Sequence, residues 1–269
     1  MLPILLNFGP IKIYSYGLFL ALGLFISLYW WWKMGRDEHF DEIELFDGFF
    51  LSVIVFFVIS RVGYTIMNLG ELGTWVRAFA LHAYPGLDVV SGLLAVMIFM
   101  FFFSRSKGWD AWKVADAFVV ALSMALLVGS LGGFLNGSIP GKEVSWGLMY
   151  PGESTPRIPA DIWVLIWSII TFATTSRVRK NFRFYAWYKG ESSMAQEGLA
   201  SLVFGILAGI YFIVYSIIVD SSWLLFGKIP VETVVGFLAI LISTLVIKKR
   251  VGRRESGLWG KLMNIIRRK

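Results

Sequence analysis

The stretch "ADAFVVALSMALLVGSLGGFLNG", Ala115 to Gly137, decides how this chain has to fold. Asp116 at its start is its only charged residue, and it is long enough to cross a hydrocarbon core of about 30 Å as a helix rising 1.5 Å per residue. It then leaves through Gly129, Gly132, Gly133, Asn136 and Gly137 into "SIPGKEVSWG", where apolar periodicity stops. Two readings of this exit stand side by side. Gly129 with Gly133, and Gly133 with Gly137, have the small-xxx-small spacing that lets membrane helices approach closely. Alternatively, these glycines and the Asn136 amide form the floor of a site, since an amide at a helix end either caps it or offers donors to a headgroup.

Working outward, the segment 114–135 is one of seven apolar stretches, the others being about 14–32, 46–67, 86–103, 159–176, 198–219 and 231–247. The chain is 57% hydrophobic and 16% charged over 269 residues, too little polar surface for a soluble domain of this size. The expected fold is therefore all-α, a polytopic membrane protein with seven transmembrane helices. Sidedness follows from Lys and Arg, which accumulate in short cytoplasmic loops. The segments after the first, third, fifth and seventh spans hold 2, 3, 5 and 9 of them; the N-terminus and the loops after the second, fourth and sixth hold 1, 1, 2 and 1. This places the N-terminus outside and the C-terminus in the cytoplasm, so orientation accounts for the net charge of +7 without a nucleic-acid partner.

The start, "MLPILLNFGPIKIYSYG", has no basic lead followed by a small-residue cleavage site, and reads as an amphipathic lead-in at the bilayer surface. Residues 1–250 form the integral membrane domain, with a long outer loop over 136–158. Residues 251–269, "VGRRESGLWGKLMNIIRRK", form a basic amphipathic cytoplasmic tail suited to an anionic leaflet. There is no cysteine, and the histidines are His39 and His82 alone, which excludes disulfides, thiolate metal sites and a cysteine nucleophile; no metal site and no cofactor are expected.

Ionisable side chains inside spans cost about 2.5–3.5 kcal/mol on insertion scales and so mark pathways or sites. Arg61, in "VFFVISRVGYTIMN", stands roughly 9 Å below the outer end of the second span at 1.5 Å per residue. Its guanidinium suits a lipid phosphate; the competing reading is that it snorkels to the interface or pairs with an acid such as Asp88. Tyr14, Tyr16, Asp88, Ser91, Asn136, Arg157 and Asp161 crowd the same outer end, each alone readable as an anchor or cap, together as a cavity in the outer leaflet. Asp47 and Asp116 lie near the cytoplasmic starts of their spans, where capping is the default reading. A retinal receptor is excluded by the lack of lysine in the seventh span, and a transporter is disfavoured because the polar residues avoid the midplane.

The ordered motifs "YGLFLALG", "SRVGY", "GLDVVSGLLAV", "ADAFVVALSMALLVGSLGGFLNG" and "RIPADIW" resemble bacterial prolipoprotein diacylglyceryl transferase over about residues 7–250. The resemblance implies a bacterial cytoplasmic (inner) membrane enzyme. It would move a diacylglyceryl group from phosphatidylglycerol, or a related phospholipid, to the lipobox cysteine in the signal peptide of a lipoprotein precursor. It also implies lipid-binding roles for Arg61, Asn136, Tyr16, Gly132, Gly137 and Arg157, and structural motif roles for Asp116, Gly63 and Gly129. At three positions where the family carries a charged group this chain has Val90, Ser130 and Phe212; Gly133, Ser138 and Ser216 depart from the motifs as well. Val90 stands where the resemblance implies a catalytic histidine, which leaves Asp88 as a candidate base, with His82 as another. The chain is thus either a divergent transferase or a non-catalytic relative that binds lipid or lipoprotein.

Overall fold

The computed structural model describes residues 2–9, 11–73, 80, 84, 86–150, 153–189, 197–220, 224–225 and 228–266. Among them a helix forms over each of the seven apolar segments: α1 (Ser15–Asp37), α2 (Glu42–Met67), α4 (Val89–Ser106), α5 (Ala111–Asn136), α6 (Ala160–Lys189), α7 (Leu199–Ile218) and α8 (Val231–Ile266), with a single turn, α3 (Leu69–Leu72), after α2. Six of the long helices are apolar and long enough to cross a membrane; α6 is the one outside that set. The reason lies on its packed face. Ser168, Thr171, Thr175 and Arg179 recur at three- and four-residue spacing and are all buried, so polar side chains occupy the positions that Leu or Ile would fill. Ser168 and Thr175 donate to the carbonyls of Val164 and Thr171 one turn back, and Thr175 meets Ser123 of α5 at 3.1 Å.

Helix starts differ from the sequence expectation for a simple reason: the helices extend past the apolar runs into polar residues. Asp41, not Asp47, caps α2, its carboxylate accepting from Glu44 N, and Asp110, not Asp116, accepts from Trp112 N and Lys113 N at the start of α5. Asp116 lies half-buried in the second turn of α5. The backbone of the basic tail continues α8, which runs unbroken to Ile266.

Three two-stranded antiparallel sheets lie outside the helices. The lead-in is a hairpin of β1 (Ile4–Phe8) and β2 (Ile11–Tyr14), with Phe8 paired to Ile11 and Gly9 at φ +76°, the left-handed backbone that a two-residue connection requires. The expected loop over 136–158 is also structured: β3 (Pro140–Leu148) pairs with β4 (Arg157–Pro159). Its bulged register, with both Glu143 and Leu148 opposite Arg157, hid it from a search for strict alternation. A Cβ at Gly147 would strike the Arg157 backbone, so the close pairing needs glycine there. Two further short strands, β5 (Leu224–Leu225) and β6 (Ile229–Pro230), precede α8.

The chain forms two compact units, Leu28–Phe118, and Met1–Ser27 with Val119–Lys269. In the first, α2 and α4 pack through small and polar residues while large apolar ones face outward. Gly92, Val96, Met100 and Ser104 form the buried stripe of α4, against Ser52 and Ser60 among the buried residues of α2; Ile54, Val58, Met97, Ile98 and Phe102 are exposed. Interiors built of small residues with hydrocarbon outside are the packing that lipid as a solvent selects. In the second unit, α7 and α8 cross at Gly209 and Gly236, where a Cβ on either would come within 2.6 Å of the other's carbonyl.

Candidate functional site

Among the described residues of the first unit, Arg61 is the buried charge. Its side chain is 9% exposed; Nη1 donates to Gly86 O at 2.8 Å and the guanidinium lies 5.3 Å from the centre of the Tyr64 ring. Gly86 itself is held against that ring, so the chain preceding α4 folds over the arginine. Asp88 ties the same segment down: its N donates to Ser60 O at 3.0 Å, and its Oδ2 accepts from Ser91 N at 2.8 Å as the cap of α4. Snorkelling to water is not what Arg61 does here. Gly63 and Gly92 make this approach possible, because a Cβ on Gly63 would meet Ser91 Oγ and one on Gly92 would meet Ser60 Oγ. Val90 is half-buried in the first turn of α4 beside the cap.

In the second unit the exit of α5 resolves into a helix terminus of known type. Ser138 N bonds to Gly133 O and Gly137 N to Phe134 O, with Gly137 at φ +68°, the paired bonds and left-handed residue of a Schellman cap. The Asn136 amide donates to Ser138 Oγ at 2.9 Å. The small-xxx-small positions are not where the helices approach most tightly. A Cβ on Gly129 would meet nothing within 4 Å, whereas one on Gly132 would lie 2.6 Å from Phe19 Cβ, and one on Gly23 would lie 3.1 Å from Ala125 O. Gly132 and Gly23 therefore set the α1–α5 approach. Tyr16 stands beside that contact with its ring exposed. Ser130 is buried and donates to Leu127 O of its own helix.

Arg157 is surrounded by acids. Its Nη2 bonds Glu143 Oε1 at 3.2 Å, its Nε is 3.0 Å from Glu153 Oε2, and its Nη1 donates to Gly141 O. Asp161, in the first turn of α6, is 2% exposed; it accepts from Ile139 N at 3.0 Å and from the Tyr150 hydroxyl at 3.1 Å. Tyr150 is itself buried, and burial, with the Asp161 carboxylate beside it, pushes its phenol well above the ordinary tyrosine range. These two residues pin the hairpin between α5 and α6. The sequence marks Asp161 only as an outer-end polar residue and Tyr150 only as part of the outer loop, because their bond spans a bulged hairpin that periodicity does not reveal. Lys142 escaped notice entirely; it extends from β3 to the C-terminal end of α7, with Nζ 3.5 Å from Ser216 O. Phe212 is half-buried in an aromatic row, its ring edge-on to Tyr211 at 5.5 Å, and Ser216 is bonded to Thr233 of α8 at 2.8 Å. An apolar groove of about 180 Å³ runs between α6 and α7, lined by Trp163, Trp167, Tyr211 and Tyr215 among aliphatic residues. Of the remaining candidates, His82 lies outside the described residues.

The structure thus gathers Arg61, Gly63 and Asp88 in one unit, and Tyr16, Gly129, Gly132, Asn136, Gly137 and Arg157 in the other. Apolar helices with small polar interiors, and a buried arginine within one of them, define a multi-pass helical membrane protein. Comparison with known proteins specifies which kind: the prolipoprotein diacylglyceryl transferase family model matches residues 3–248, and the chain belongs to that family. A relative from Legionella pneumophila (strain Corby), named phosphatidylglycerol–prolipoprotein diacylglyceryl transferase, is 31% identical over 173 residues, covering 60% of this chain and 65% of the relative. Relatives of the same name from Methylococcus capsulatus and Bordetella avium are each 28% identical, over 173 and 171 residues, covering 60% and 61% of this chain and 64% and 65% of theirs. The matched part spans just under two thirds of the length of these relatives.

Proposed function

We propose that the protein transfers a diacylglyceryl group from phosphatidylglycerol to the lipobox cysteine in the signal peptide of a lipoprotein precursor, in the bacterial inner membrane. Seven spans, with the N-terminus outside and the basic tail on the cytoplasmic leaflet, are the arrangement that the alternation of Lys and Arg supports. In the reaction the cysteine sulfur attacks the glyceryl carbon, the carbon–oxygen bond to phosphate breaks, a thioether forms and glycerol phosphate leaves. The thiol proton goes to a base, for which Asp88 is the candidate: the cap bond to Ser91 engages its Oδ2, and Oδ1 is not required by the cap.

The observation that carries this reading is Arg61, a guanidinium buried in an apolar helix and backed by Gly86 O and the Tyr64 ring. A cation fixed in low dielectric stabilises the charge that develops on a leaving phosphate far more than one in water. The apolar groove between α6 and α7 offers a surface for acyl chains. The test is to incubate the purified protein with phosphatidylglycerol and a lipobox peptide and look for the thioether by mass spectrometry. Product is expected; its absence, where an ordinary family member forms it, sinks the reading. A second reading, a non-catalytic relative that binds lipid or lipoprotein, is favoured by Ser130, whose hydroxyl is spent on its own helix, and by apolar Val90 and Phe212. It requires lipid binding that weakens in Arg61→Ala with no turnover in the wild type.

A further inference from the structure

The β3–β4 hairpin of the second unit carries two cations, Lys142 and Arg157, and their surroundings differ. Arg157 is flanked by Glu143 and Glu153, so its charge is already neutralised. Lys142 has no carboxylate within 4 Å of its Nζ among the described residues. Its polar contact is the carbonyl of Ser216 at 3.5 Å, the outer limit of a hydrogen bond, which leaves the ammonium's donors largely uncommitted.

The position of this lysine is built rather than incidental. Gly141, buried, is wedged so tightly that a Cβ there would lie 2.7 Å from Ile158 O of β4 and 2.9 Å from Ile218 O at the end of α7. This contact docks the hairpin on the last turn of α7 and carries the next side chain, Lys142, toward Ser216. There the C-terminal carbonyls of α7 favour a positive charge. Thr233 Oγ1 donates to Ser216 Oγ at 2.8 Å and Ser216 Oγ to Ile213 O, so Lys142 stands beside bonded hydroxyls.

We propose that Lys142 is a phosphate-binding residue, a second cation besides Arg61, which holds the phosphate of a phospholipid headgroup or the free glycerol phosphate that leaves it. The proposal rests on the phospholipid part of the transferase reading and not on turnover, so binding tests it independently of catalysis. The full chain is purified in maltoside micelles and its lysines are acetylated under limiting reagent, with Lys142 followed by peptide mass spectrometry. Phosphatidylglycerol in the micelle is expected to slow Lys142 acetylation several-fold, and diacylglycerol to leave it unchanged. Equal slowing by glycerol phosphate alone assigns the site to the free ester, and slowing only by the lipid assigns it to the headgroup. No slowing by either overturns the proposal, and so does equal slowing by diacylglycerol, which would show that acyl chains cover the residue. In parallel, Lys142→Gln is expected to weaken phosphatidylglycerol binding about tenfold and Lys142→Arg to restore it. Wild-type affinity in Lys142→Gln also overturns it. If the wild type binds through Lys142 and yields no thioether, this inference stands while the transferase reading falls.

Discussion

Asp88 separates two roles that one carboxylate can fill. As the cap of α4 it needs only an acceptor for Ser91 N, which asparagine supplies equally well; as a base it needs a carboxylate. Asp88→Asn is therefore expected to leave thermal unfolding almost unchanged while lowering thioether formation by about 100-fold or more. Full turnover in this variant assigns Asp88 to the cap alone. Arg61→Ala is expected to reduce turnover by about 10- to 150-fold, because the charge-assisted contact it offers a phosphate is worth about 1.5–3 kcal/mol. Gly137 tests a different point. Its backbone is left-handed at φ +68°, so Gly137→Ala is expected to cost about 1–2 kcal/mol, seen as a lower melting temperature in detergent.

Between elements, what matters is how closely backbones approach. Ser60 and Gly92 bring α2 and α4 together above Arg61 so tightly that a methyl group on Gly92 would meet the Ser60 hydroxyl. Gly92→Ala is expected to destabilise by about 1–3 kcal/mol, as overpacking does, and adding Ser60→Ala is expected to recover a good part of it. Additive losses in the double variant, read from thermal unfolding, would show that the hydroxyl is not the obstacle. The β3–β4 hairpin is fixed in another way, by Tyr150 donating to buried Asp161. Since the folded phenol titrates above the unfolded one, the protonated tyrosine contributes stability that is fully present below about pH 10 and lost as pH rises, when the unfolded chain alone ionises. Tyr150→Phe is expected to flatten the loss of stability above that pH, measured by alkaline unfolding against the wild type.

For the whole molecule, the absence of cysteine makes sidedness directly measurable. Single cysteines placed by Ser138→Cys and Ser256→Cys, probed in intact cells with an impermeant maleimide, are expected to give labelling at the first and none at the second until the membrane is opened. The reverse pattern would invert the proposed orientation.

The chain's own residues determine that it is helical, where the seven long helices among the described residues lie and that lipid is its solvent, because long apolar runs and interrupting charges are local properties. The ordered motifs likewise marked Arg61, Asn136 and Gly137. Other features were decided only in three dimensions. Gly137 and Ser138 close the helix through bonds reaching back to Phe134 and Gly133, with the Asn136 amide bonded to Ser138, whereas the spacing of this stretch read equally well as packing or as a site floor. Gly132, not Gly129, sets the α1–α5 contact, because the direction a glycine faces depends on the helix it meets. The outer loop became a bulged hairpin, and with it Tyr150 found Asp161, Arg157 found its glutamates and Lys142 came to the end of α7. Those partners lie from 4 to 74 residues apart in the chain, and a charge's availability depends on which acids fold against it; that is why Arg157, a lipid-binding candidate in the sequence, is paired with two glutamates in the fold, while Lys142 has no carboxylate within 4 Å among the described residues.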